Sequence, residues 1–207
     1  MNYSLVEIIE ILGTFAFASS GTTRAIKKHY DLFGLLVLGF VTAIGGGTLR
    51  DLLLGRTPVE WLSDTTTISV IIFGSVSTYL FYSYMNKLKW WVFFFDAVGL
   101  GLFTISGIQI GLSLDYSVVI VLLIGVLSAS FGGVLRDVLS GETPLLLRNE
   151  IYATASIGGG VIFLLGINFT ALDDFYWEII SVVFIVVLRV LSFKYGWSLQ
   201  LPIKDEA

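Results

Sequence analysis

Two short segments carry most of the chemistry this sequence offers. Gly46 to Pro58 reads GGTLRDLLLGRTP and Gly132 to Pro144 reads GGVLRDVLSGETP. In each, glycines are followed closely by an Arg-Asp pair: Gly45, Gly46 and Gly47 precede Arg50 and Asp51, and Gly132 and Gly133 precede Arg136 and Asp137. Both segments sit in apolar runs, where an ionised side chain costs about 2.5–3.5 kcal/mol at the centre on insertion scales and so faces protein interior or water. Two readings of the Arg-Asp pairs stay open. Each pair lines a vestibule, the arginine tuning the potential and the carboxylate attracting cations, or each merely caps a helix end and bonds loop carbonyls. The glycines also divide two ways, since each costs about 1 kcal/mol relative to alanine in a helix interior. Either both helices kink and free carbonyls that replace part of a cation's hydration shell, a conformation tolerated only beside a wet cavity, or small residues simply let helices pack closely. Their doubling favours the first.

Glu10 and Asp96 add a carboxylate to each of two further apolar runs. They attract cations, or they snorkel to a nearby interface. Hydroxyls at Thr14, Ser19, Ser20, Thr22, Thr42, Thr104, Ser106, Ser128 and Ser130 offer a polar path, although in membrane helices such groups usually bond backbone or a neighbouring helix. The single histidine, His29, stands among Arg24, Lys27 and Lys28 and reads as solvated. Other chemistry is scarce. There is no cysteine, hence no disulfide, thiolate ligand or thiol nucleophile. No Gly-Lys-Ser/Thr follows the glycines and no HExxH or GxSxG occurs, so neither a phosphate loop nor an enzyme is expected, and no cofactor or metal site.

The elements that must position these groups are long apolar helices. With 56% hydrophobic and 14% charged residues and a mean hydropathy of +0.88, the chain lies far from the roughly 25% charged content of soluble domains. The apolar runs are approximately Leu5 to Thr23, Leu32 to Leu54, Ile68 to Tyr84, Trp90 to Leu112, Val118 to Leu139, Tyr152 to Phe169 and Phe175 to Phe193. Each approaches the ~20 residues that cross a ~30 Å hydrocarbon core. The expectation is an all-α membrane protein of seven transmembrane helices forming one membrane domain, residues 1–207. The sixth span is interrupted by Gly158, Gly159 and Gly160. The first carries Glu7 and Glu10 and lacks a basic leader, so it reads as a span rather than a signal peptide. Trp61, Trp90, Trp91, Trp177 and Trp197 fall near span ends, as in an aromatic belt. A net charge of −4 without a basic tract gives no footprint for a nucleic acid.

The two glycine segments are copies, identical at 9 of 13 positions with an offset of 86 residues. The same offset pairs Gly13 with Gly99, Phe17 with Phe103, Ser20 with Ser106, Gly21 with Gly107, Gly39 with Gly125, Gly74 with Gly160, and Glu10 with Asp96. The repeat therefore covers three helices, about 5–85 and about 91–170, leaving the helix at about 175–193 outside it. A unit with an odd number of spans begins its second copy on the opposite side of the membrane, so the copies are expected to be inverted. Assigning loops alternately to two faces puts Arg24, Lys27, Lys28, Lys87, Lys89, Arg136, Arg148, Arg189, Lys194 and Lys204 on one side and only Arg50 and Arg56 on the other. The positive-inside rule then predicts an outside N-terminus and a cytoplasmic C-terminus in the cell membrane.

With both glycine motifs, the doubled unit and seven spans in view, the chain resembles the prokaryotic branch of the trimeric intracellular cation (TRIC) channel family over nearly its whole length. The resemblance implies a homotrimer in membrane lipid, each protomer enclosing a pore for potassium or other monovalent cations, formed largely by kinked second and fifth spans. It implies hinges at Gly45, Gly46, Gly47, Gly132 and Gly133. Phe131 stands where the first copy has Gly45, so the fifth span is expected to bend less, with Phe131 as an apolar constriction. Related bacterial sequences are also associated with glycine uptake, and broken helices in an inverted repeat suit alternating access as well. A membrane scaffold without transport is the third, weaker reading.

Overall fold

A computed structural model describes residues 5–85, 87–148 and 151–198. Lys204 and Ala207, which bear on the expected orientation, lie outside them. The helices are α1 (Leu5–Lys27), α2 (Leu32–Leu53), the single turn α3 (Glu60–Ser63), α4 (Thr65–Phe81), α5 (Leu88–Ser113), α6 (Val118–Leu139), α7 (Ala153–Phe169) and α8 (Asp174–Tyr195), with 3-10 turns at Tyr82–Tyr84 and Leu145–Leu147. No strand occurs among the described residues. Starts follow local chemistry: Asp31, Asp64 and Asp173 each accept a backbone N–H of the first turn they precede, satisfying donors a helix leaves open. α8 stops at Gly196, in the left-handed region at φ 67°, where glycine pays no steric penalty.

Among the described residues, six helices are long and apolar enough to cross a membrane. α7 has 17 residues, a length of ~26 Å. Its Gly158, Gly159 and Gly160 do not break it. A Cβ on Gly160 would meet Ile108 at 2.9 Å and one on Gly158 would meet Phe184 at 3.2 Å, so these glycines admit α5 and α8.

The core is α1 against α5, with α2 beside α1 and α6 beside α5, and α2 and α6 touching each other. α4 packs on α1 and α7 on α6 and α8, while α8 covers α5. Shifting α2 by the sequence offset reproduces α6, and shifting α4 lands within two residues of α7. Contacts between the halves are reciprocal. Phe17 stacks on Phe103 with ring centroids 5.2 Å apart and planes 18° from parallel. A Cβ on Gly13 would meet the Phe103 ring at 2.9 Å, and one on Gly99 would run into the Phe17 ring. A Cβ on Gly46 would collide with the Ser128 carbonyl oxygen, and one on Gly132 with that of Thr42. In each case the second contact is the first moved by 86 residues, the pattern of an interface in which i meets j and j meets i. The halves differ where α8 docks: Phe15 of α1 packs against Phe73, whereas its counterpart is Gly101, and Val182 of α8 fills the space, 3.2 Å from where a Cβ would stand.

Candidate functional site: two buried arginine clusters

α2 and α6 are α-helical without a break across their glycines, and the glycines divide by face. Gly46 and Gly132 form the α2–α6 contact just described. Gly45 joins them, since a Cβ there would be 2.7 Å from Leu135 and 3.3 Å from the Gly132 Cα. Gly47 and Gly133 point elsewhere. A Cβ on Gly47 would find nothing nearer than the Arg50 Nη2 at 3.9 Å and Phe103 at 4.0 Å, and one on Gly133 would be 2.9 Å from the Tyr152 hydroxyl and 3.0 Å from Asp96 Oδ1. Each therefore faces its own half's arginine. Phe131 is half-buried on α6.

Arg50, 1% exposed, is the centre of the first cluster. Its Nη1 pairs with Glu10 and reaches Ser106 Oγ at 3.3 Å, its Nε donates to Asp51 Oδ1 at 2.9 Å and its Nη2 to Glu60 Oε2 at 2.9 Å. Asp51 also ties down the α2–α3 connection: Oδ2 accepts the Glu60 backbone N–H at 3.0 Å, and Oδ1 lies 3.3 Å from Arg56 Nη1. A small cavity of about 40 Å³, lined by Gly47, Arg50, Glu60, Thr14 and Phe103 among others, opens beside it. Next to that lies a recess of about 300 Å³ bounded by Glu7, Glu10, Glu60 and Asp64. Burial and the neighbouring Glu10 carboxylate raise the Glu60 carboxyl to about 7, against the pull of Arg50. Asp64 behaves oppositely: although its partial burial opposes ionisation, hydrogen bonds from Thr66 and Thr67 hold it below the ordinary range.

Arg136 builds the second cluster from the same parts. Nη1 donates to Asp96 Oδ1 and Ser20 Oγ, both at 2.6 Å, and Nε and Nη2 donate to the two oxygens of Asp137 at 2.9 and 3.1 Å. Asp137 Oδ2 accepts the Leu145 backbone N–H at 3.0 Å, holding the loop after α6 as Asp51 holds the loop after α2. Arg24 Nη2 donates to Asp137 Oδ1 at 3.1 Å. Glu142 gathers Lys28 at 2.8 Å, Arg148 at 3.3 Å and Arg24 at 3.7 Å, and the Lys28 bond holds its carboxyl below the ordinary range. From α8, Arg189 lies between the Phe93 and Tyr152 rings, 4.5 and 4.7 Å from their centroids, with Nη2 3.9 Å from Asp96 Oδ2. A cavity of about 160 Å³ here is bounded by Arg24, Lys27, Lys89, Glu142 and Arg148.

The aspartates cap and tie the loops, while the arginines turn inward to Glu10 and Asp96. These acids stand 40 residues before their arginines in both halves. The serines are exchanged: Ser106 of the second half serves Arg50, and Ser20 of the first serves Arg136. Sequence reasoning missed Glu60, Arg24, Tyr152 and the position of Arg189. No group of side chains suited to a metal ion occurs among the described residues.

The family described as "Glycine transporter" matches residues 7–83 and 93–168, one match in each copy of the repeat. A UPF0126 membrane protein of Vibrio cholerae is 40% identical over 206 residues, covering 98% of this chain and 84% of the other. The UPF0126 inner membrane protein YadS of Escherichia coli K12 is 37% identical over 199 residues, covering 96% and 95%. The crystal structure of the TRIC trimeric intracellular cation channel orthologue from Rhodobacter sphaeroides superposes with a TM-score of 0.88 at 33% identity, covering 94% of this chain and all of that one. The chain is a multi-pass membrane protein, and it belongs to the TRIC family, the family that the matching glycine-transporter description covers.

Proposed function

We propose that this protein is a channel for monovalent cations, potassium foremost, that assembles as a homotrimer with a pore inside each protomer and performs no catalysis. The observation that carries this reading is the matched pair of arginine clusters, each beside a glycine face and a cavity that charged side chains help to line, joined by the Phe17–Phe103 stack. Phe103, from the half that carries Gly133, lines the cavity at Gly47 and stacks on Phe17, its counterpart in the half that carries Gly47. The cation path of this reading passes from Gly47 by the two rings to Gly133, and the rings and guanidiniums must move for it to open. Conduction requires them to move, with bending at Gly45, Gly46, Gly47, Gly132 and Gly133 and a constriction at Phe131 as the hinge reading holds.

The two halves are inverted repeats of three spans each, followed by α8 as the seventh span. Reciprocal contacts between equivalent residues support a twofold axis in the membrane plane. Arg24, Lys27, Lys28, Lys89, Arg136, Arg148 and Arg189 gather in one network and its cavity, while Arg50 and Arg56 share the other cluster. That separation supports a cytoplasmic face at the Arg136 end and an outside N-terminus. The Glu7, Glu10, Glu60 and Asp64 recess then faces outward and draws cations.

The competing reading is a glycine carrier, favoured by the wording of the matching family's description. A zwitterionic substrate needs a site for its carboxylate and another for its ammonium, and the cavity beside Arg50 is lined by Glu10, Asp51 and Glu60, which already pair with its one guanidinium. Purified protein in vesicles separates the two: potassium flux without uptake of labelled glycine supports the channel, and glycine accumulation without potassium flux overturns it.

A further inference from the structure

Glu60 has no acidic counterpart in the second cluster, where the offset places Leu146. It rides on the short helix α3, between the helix that carries Arg50 and the Asp64 cap of α4. Its side chain is about one-third exposed, at 36%, while that of its partner Arg50 is 1% exposed, so it covers the arginine and touches water. Glu60 and Glu10 take the two terminal nitrogens of the same Arg50 guanidinium and line the same two recesses, which brings their carboxyls together. Two carboxylates so placed make a hydrogen bond only when one carries a proton, because an ionised carboxylate has no donor. Ionising both costs like-charge repulsion that one guanidinium shared between them only partly offsets.

We infer that Glu60 and Glu10 form a proton-sharing pair that makes cation entry at this end of the protomer sensitive to the pH on that side. The inference rests on the channel reading above. Every charged group facing the pair enters the count. α1 supplies Glu7 and Glu10, α2 supplies Arg50 and Asp51, the following loop supplies Arg56, and the cap of α4 supplies Asp64; α5 contributes the neutral hydroxyl of Ser106. Within the ion-paired set, three carboxylates meet two guanidiniums. With the shared proton the set is neutral, and without it one negative charge remains at the mouth of a recess that already holds Glu7 and Asp64. An added negative charge raises the local cation concentration, and salt screens the effect.

The sign follows from the raised acid. Glu60 holds its proton until the pH approaches about 7, so cation current rises as pH on its side rises through that value, and protons are taken up as it falls. Single-channel recording at low ionic strength tests this, with pH varied from about 5.5 to about 8.5 on the Glu60 side only. Wild type should gain roughly twofold in current across the range, less at high salt, and Glu60→Gln should show a ratio near one. An equal gain in Glu60→Gln, or no gain in wild type, overturns the inference. Infrared difference spectra over the same range judge the proton pair itself. A protonated-carboxyl band lost in wild type but not in Glu60→Gln supports it, and identical spectra refute it. Current absent at every pH, with the band change present, would fail the channel reading and leave the acid pair standing.

Discussion

Phe17 stacks on Phe103 at the centre of the molecule, and the two residues occupy the same place in the two copies of the repeat. The stack is flanked by the exchanged serines: Ser106, three residues after Phe103, bonds Arg50, and Ser20, three residues after Phe17, bonds Arg136. One helix turn separates ring from hydroxyl, so both lie on one face of their helix. The α1–α5 pair therefore ties each arginine cluster to the opposite half.

The two arginines are predicted to differ in what their loss costs. Arg136 and its partners Asp96 and Asp137 have side chains fully shielded from water, and truncating one member of such a set leaves buried charge unpaired, at about 3–5 kcal/mol. Around Arg50, Glu10 and Glu60 keep 13% and 36% of their side chains exposed, so water and protonation soften the loss to about 1–3 kcal/mol. Thermal unfolding of purified Arg136→Met and Arg50→Met should rank them in that order. Pairing Arg136→Met with Asp96→Leu should restore part of the loss. Equal stability of Arg136→Met and wild type would remove the cluster from the energetics of the fold.

The glycines should separate into two classes. Gly46→Ala and Gly132→Ala drive a methyl into a backbone carbonyl of the facing helix, and such overpacking costs about 1–3 kcal/mol or more. Gly47→Ala meets nothing closer than 3.9 Å and gains up to about 1 kcal/mol of helix propensity. Unfolding temperatures and monodispersity on size-exclusion chromatography report the difference. A Gly47→Ala protein as unstable as Gly46→Ala would mean that the two glycines share one packing role.

Much of this was legible in the sequence, for a physical reason: a span must be long and apolar, and a duplicated unit leaves its offset in every element it keeps. The helix bounds and the positions of Glu10, Asp96 and both Arg-Asp pairs follow from that. Which acid meets which arginine does not follow, although the same 40-residue separation in both halves was a usable signal. Glu60 and Arg189 were out of reach because neither has a partner in the repeat: α3 is a single turn in a loop, and α8 lies outside the duplicated unit. The split between Gly46 and Gly47 depends on which side of α2 faces α6, and a helix apolar on all sides does not announce its packed face.

Orientation has its own test. A reporter fused after Tyr116, between α5 and α6, should read as outside, and one fused after Ala207 as cytoplasmic. A cytoplasmic signal from the Tyr116 fusion would reverse the proposed sidedness and place the acidic recess on the inner face.

The charge asymmetry predicts a difference between the two mouths. Neutralising Lys27 and Lys89, which border the cavity at the Arg136 end, to glutamine should raise cation current at low ionic strength by roughly twofold, and the gain should shrink when the Debye length falls from about 30 Å at 0.01 M to about 3 Å at 1 M salt. A fall in current, or a gain that salt does not alter, would contradict a basic barrier at that mouth.

The central claim, a continuous cation path inside the protomer past Gly47 and Gly133, is tested most directly by single-channel recording in a planar bilayer with symmetrical potassium. A carrier passes through a conformational cycle for each substrate, on microsecond to millisecond or slower timescales, whereas an open pore gives discrete steps of current. Wild-type protein should give such steps, and Gly47→Leu and Gly133→Leu, purified and monodisperse, should reduce or abolish them. Well-folded wild type that gives no steps yet accumulates labelled glycine in vesicles would contradict the account, as would undiminished current in both leucine variants.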